Sequence, residues 1–118
     1  MITMTERDRQ SVGLTPDAQG SVEDLMTLGW FDDAQDLARF AMAYAIRRGV
    51  GQGTVEGQDT RWAIGNFDPD GEIRAIVRSL YADNVTPVRL IEYFTNEGLR
   101  LLAERVDAGE HDLASLMA

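Results

Sequence analysis

Apolar residues recur with a helical period along most of the chain. Ala18, Val22, Leu25 and Met26 form a one-sided stripe, which predicts a helix over about 16–28. A second helix is expected over about 33–48, where Leu37, Phe40, Ala41, Tyr44 and Ala45 repeat. Its stretch from Ala38 to Ile46 is apolar on nearly every side, the mark of a fold centre or a subunit interface. Ile73, Ile76, Val77, Leu80 and Tyr81 set out a third helix over about 70–82. Val88, Ile91, Phe94, Leu101, Leu102 and Val106 set out a fourth over about 87–106.

The punctuation agrees with these spans. Each of the three prolines follows a residue suited to a helix N-cap, as Thr15-Pro16, Asp68-Pro69 and Thr86-Pro87. The side-chain oxygen accepts an orphan backbone N–H, and proline at the first helical position lacks the N–H that would be unpaired anyway. Asp32 or Asp33 starts the second helix, and Arg47-Arg48-Gly49 ends it, with cations at the negative terminus and glycine beyond it. Four glycines in residues 49–61 read as a flexible loop, and 107–118 as an acidic tail.

Ahead of the first helix, Val12 and Leu14 alternate with Ser11, Gly13 and Thr15, the pattern of a short strand. A lone strand cannot satisfy its own backbone groups. A second copy could supply a mate through an antiparallel ribbon. The expected architecture is therefore mainly α: one domain over 1–118, four helices and a short N-terminal strand, ribbon-helix-helix-like. Residues 1–9 are an arm, 10–48 the strand-helix-helix unit, and 62–106 carry two further helices. The oligomer interface falls on Val12, Leu14, Phe40, Ala41 and Tyr44.

Composition acts by subtraction. Among 118 residues there are 20 acidic and 11 basic side chains, a net charge of −9, with no cysteine and one histidine. All the basic residues are arginine. Disulfides, thiol catalysis, Cys-based zinc sites, a phosphate-loop lysine and Schiff-base chemistry are thereby excluded. No apolar run approaches the roughly 18–20 residues of a membrane span, and the N-terminus lacks a signal-peptide pattern, so a cytoplasmic location is expected.

Few constellations carry chemistry. Asn66, Asp68, Asp70 and Gly71 follow the start of a calcium loop, but Val77 stands where its bidentate glutamate belongs, so Asp68 reads better as a helix cap. Gly49, Gly51 and Gly53 follow a helix instead of opening one, the wrong context for a nucleotide loop. No carboxylate is marked as an acid–base catalyst, and neither a cofactor nor a metal is expected. The arginines remain, as phosphate or carboxylate ligands. Arg7, Arg9, Arg47 and Arg48, with the outward ribbon residues Ser11, Gly13 and Thr15, are the candidate nucleic-acid contacts.

The layout Val12-x-Leu14-Thr15, a helix ending in Leu25 and Leu28, and an Ala/Arg/Phe-rich second helix resembles the DndE family of DNA sulfur-modification proteins. Trp62, the apolar helix from Ile73 to Tyr81, and Tyr93-Phe94 with Gly98-Leu99-x-Leu101-Leu102 extend the resemblance over roughly residues 9–106. It implies a small helical protein with a ribbon-helix-helix-like core that is not itself an enzyme. Members act beside the phosphorothioation machinery, assemble as oligomers and are linked to nicked DNA through basic residues, chiefly lysines. This chain has no lysine. The expected function is a non-enzymatic, homo-oligomeric accessory subunit of a bacterial DNA-modification or phage-defence system. It would bind larger proteins of that complex, with DNA as a further contact and no membrane. The alternatives are a ribbon-helix-helix transcriptional regulator reading DNA through Ser11, Gly13 and Thr15, or a pure protein-interaction module.

Overall fold

A computed structural model describes residues 7–117. Helices dominate, with one two-stranded antiparallel sheet. In chain order the elements are β1 (Ser11–Leu14), α1 (Pro16–Met26), α2 (Ala34–Arg47), β2 (Asp59–Ala63), α3 (Ile64–Phe67), α4 (Glu72–Leu80), α5 (Pro87–Asp107) and α6 (Leu113–Met117). Six helices are present among the described residues where four were expected. The additional two, α3 and α6, have four and five residues, too short to show a period.

The caps explain most boundaries. Thr15 Oγ1 accepts from the Ala18 N–H at 3.2 Å, and Asp33 Oδ1 from the Gln35 N–H at 2.7 Å. α2 closes at Gly49 with φ +78°, a left-handed residue that costs glycine little. The start of α5 is different. Thr86 makes no side-chain cap there, and Asp8 supplies it instead, accepting from the N–H groups of Val88 and Arg89 at 3.0 Å each. Residues 7–9, assigned from sequence to a flexible arm, are thus docked on α5, while 1–6 lie outside the described residues.

α2 and α5 make the most extensive contact in the molecule. They cross where Gly98 meets the Ala41 backbone, so closely that a Cβ on Gly98 would stand 1.8 Å from the Ala41 carbonyl oxygen. Core side chains lie to either side of this crossing. Leu14, Val22, Leu25, Leu37 and Leu102 fill one half, and Val12, Phe67, Val77, Ile91 and Phe94 the other. Successive strand residues on one face, Val12 and Leu14, thereby join both halves.

β1 pairs with β2 of its own chain, Val12 opposite Trp62 and Leu14 opposite Asp59. Two residues of β2 span one step of β1 between Val12 and Gly13, which leaves Arg61 as the bulge. The ribbon expected between two copies is formed inside one. The segment 49–61 expected as a loop accordingly ends in a strand, and it is anchored before that. Gly53 lies against the Tyr93 ring, Gln52 accepts from Asn84, and Gln58 donates to Glu92. The acidic tail also docks, with Leu116 buried in the core.

Candidate functional site

The outer edge of β1, the one a twin strand would need, is occupied by side chains. Glu92 and Asn96 lie one turn apart on α5 and face it. The Gly13 N–H donates to Glu92 Oε2 at 2.8 Å, and the Gly13 carbonyl accepts from Asn96 Nδ2 at 2.9 Å. The Thr15 N–H donates to Asn96 Oδ1 at 2.9 Å, and the Ser11 carbonyl accepts from Arg9 Nε at 3.4 Å. The Gly13 and Thr15 N–H groups and the Ser11 and Gly13 carbonyls are therefore satisfied on that side without a second strand.

This changes the standing of the residues assigned to the ribbon. Gly13 is buried, and a Cβ there would meet the Asp59 carbonyl oxygen at 2.7 Å, so it has no outward face to offer a base. Thr15 is committed to capping α1, and the Ser11 hydroxyl approaches Thr60 Oγ1 at 3.5 Å. Arg9 is paired with Glu92 at 2.9 Å, and the Arg7 carbonyl accepts from Arg89 Nε at 2.7 Å. Val12, Leu14 and Ala41, assigned to an oligomer interface, are fully buried inside one chain. Their apolar alternation reports the core of the protomer.

Glu92 is the centre of this polar cluster, only 1% exposed. Burial pushes its carboxyl above the usual glutamate value. The Gly13 N–H, the Arg9 charge, the Gln58 amide and the Arg89 charge pull the other way and only partly offset it. The group ties three remote segments to α5: the arm through Arg9, β1 through Gly13, and the loop through Gln58. By holding the arm, the strand and the loop to one helix, the cluster acts as a structural latch.

Asp68 serves in a comparable way. Its carboxylate accepts from the N–H groups of Ile73 and Arg74 at 3.0 Å and pairs with Arg74 Nε at 2.8 Å. Burial raises its carboxyl, but the Arg74 side-chain hydrogen bond, the two backbone N–H groups and the Arg74 charge outweigh it, leaving the group below the usual aspartate value. The calcium-like spacing is thus used to start α4. That helix begins at Glu72 and not at Pro69, because Gly71 turns left-handed at φ +73° first. Among the described residues no three acidic or histidine side chains converge as metal ligands, and no described helix is long and apolar enough to cross a membrane.

Among the described residues, two surfaces are open to other molecules. One is a cavity of about 240 Å³ between α2 and α6, lined by Phe40, Ala43, Tyr44, Arg47, Leu116 and Met117. Phe40 and Tyr44 of the expected interface meet here, and Arg47 joins them. The Arg48 guanidinium lies over the Tyr44 ring at 5.6 Å, and Arg105 Nη1 donates to the Tyr44 hydroxyl at 2.9 Å. Of the expected arginine corner, Arg47 and Arg48 are both exposed.

The other surface is α4. Its apolar residues recur with a clean helical period, yet only Val77 of the helix is buried. Ile76 is 56% and Leu80 57% exposed, one turn apart on the same face, and Val85 in the following turn is 69% exposed. Sequence reasoning singled out this period but gave it no role. No protein-family model, no curated protein and no solved structure matches the chain.

Proposed function

We propose that the protein is a non-enzymatic accessory subunit that works by contact with other proteins, in the cytoplasm, within a bacterial DNA-modification or phage-defence system. The observation that carries the contact role is the exposed row Ile76–Leu80 on α4. Large aliphatic side chains more than half open to water, on a helix whose opposite side holds the core, are the signature of a surface that a partner covers. The assignment to a DNA-modification system rests on the resemblance to the DndE family over residues 9–106. In keeping with it, β1, α1 and α2 follow one another in the strand-helix-helix order that the resemblance implies. Direct DNA contact is assigned to the Arg47-Arg48 corner, because the ribbon residues are engaged within the chain.

The test is affinity isolation from the native host of tagged wild type, Ile76→Asp and Leu80→Asp. Both positions are exposed, so the variants should keep the wild-type circular dichroism and melting curve. The wild type should retain enzymes of DNA modification, identified by mass spectrometry, and both variants should lose them. Recovery of the same proteins by all three baits contradicts the role given to α4.

A further inference from the structure

The α4 row has a counterpart elsewhere on the same chain. Along α4, Glu72, Ile76 and Leu80 are exposed at successive turns, a carboxylate followed by two aliphatic side chains. Along α2, Phe40, then Ala43 with Tyr44, then Arg47 line the cavity under α6, an apolar strip ending in a guanidinium. At 1.5 Å per residue both strips span about 10–12 Å. Laid antiparallel, Leu80 meets the Phe40 end while Glu72 meets Arg47, so the charges complement each other and so do the apolar parts. Neither Glu72 nor Arg47 has an ion pair among the described residues. Within one chain the strips do not meet, since Ile76 and Leu80 stand open to water.

From this complementarity we infer that the partner covering α4 is a second copy of this chain, whose α2–α6 cavity receives Leu80. The inference rests on the reading of α4 as a contact surface and names its occupant as a further copy, so that host enzymes are retained by the assembled form and lost with it when the row is changed. The contact is heterologous, because two different patches meet, and each added copy leaves one row and one cavity open. Strips only about 10–12 Å long make this a weak, transient contact, so it is sought at high protein concentration. The mode differs from strand exchange, because the Gly13 and Thr15 groups on the outer edge of β1 are already engaged.

Sedimentation velocity over a concentration series up to the sub-millimolar range tests it, with Leu80→Glu as the row variant and Ala43→Glu as the cavity variant. Both substitutions fall on exposed positions, and circular dichroism checks that each protein is folded. The wild type should self-associate, and each variant alone should bind itself at least tenfold more weakly. Mixed in equal amounts, the two variants should form a dimer and nothing larger, because one supplies the intact cavity and the other the intact row. Glu72→Arg should also weaken association, and Arg47→Glu added to it should restore it. A wild type that stays monomeric, a variant that associates as the wild type does, or a mixture that stays monomeric overturns the inference. A monomeric wild type that still retains host proteins through Leu80 defeats only the choice of occupant. Intact self-association with no host protein dependent on Leu80 defeats the accessory-subunit reading instead.

Discussion

Gly98→Ala is the substitution the packing penalises most clearly. The added Cβ would lie 1.8 Å from the Ala41 oxygen and 2.4 Å from the Ala41 carbonyl carbon, both backbone atoms that no rotamer change can move. A tolerable carbon–oxygen contact is about 3.3 Å, so α2 and α5 must separate by about 1.5 Å at their crossing. A radial gap of only 0.5–1 Å already forfeits a quarter to a half of each contact's dispersion energy, and Leu99, Leu102, Ala38 and Ala45 surround the crossing fully buried. That places the cost at about 3–5 kcal/mol, the upper range of overpacking and core truncation. Alanine's better helix propensity returns about 1 kcal/mol, leaving a net loss of about 2–4 kcal/mol. For a chain of this size each kcal/mol moves the melting temperature by about 4 °C, so a drop of about 8–16 °C is expected. Gly20→Ala is the internal control. It lies inside α1 with open space where the Cβ would go, and it should raise stability by about 0.5–1 kcal/mol. Thermal and urea unfolding followed by circular dichroism read both. If Gly98→Ala melts at or above the wild type, the close crossing is not what holds these helices together.

Three further outcomes follow from the polar contacts. Glu92→Gln replaces one acceptor oxygen by a donor, so the Gly13 N–H or the Gln58 amide loses its partner, at a cost of about 1–3 kcal/mol at neutral pH in urea titrations. Because the folded carboxyl of Glu92 titrates above its unfolded value, its contribution is fully present below the unfolded value and is lost as pH rises through the folded one. The wild type should therefore gain stability relative to the Gln variant as pH falls through that window, and a constant difference would refute the assignment. Asp68 has the opposite sign, with stability present above the ordinary aspartate value and lost as pH falls through the depressed one. Asp68→Asn should cost about 2 kcal/mol at pH 7 and much less in acid, measured by the same titrations. Asp8→Ala removes the cap that a remote segment lends to α5, and should cost about 1 kcal/mol by thermal melting.

The sequence disclosed the long helices better than their surroundings. Thr15-Pro16 marks the start of α1 with a side-chain cap, Pro87 marks the start of α5 without one, and the Arg48-Gly49 stop ends α2, because these signals are local in the chain. β2 was hidden. Its residues Asp59, Thr60, Arg61 and Ala63 are exposed, so it has no alternation to read, and it is held by backbone pairing with β1. The expectation of a second copy to complete β1 failed on that point. The latch had a faint sign in Glu92 and Asn96, polar residues one turn apart within an apolar helix, but their partners lie 34 to 83 residues away in sequence. In α4 the helical period was right, and nothing in it assigned a cover to the apolar face. Periodicity shows that one face is apolar, and cannot say whether its own core or another molecule covers that face.

The first strand is closed within its own chain, leaving α4 and the α2–α6 cavity to meet other molecules. Amide hydrogen exchange at Gly13 and Thr15, measured residue by residue along a dilution series, decides this. Both N–H groups should stay protected to near the global unfolding free energy in dilute monomer, with rates independent of protein concentration. Fast exchange in the monomer, with protection appearing only as copies associate, would contradict it and return the strand to a partner.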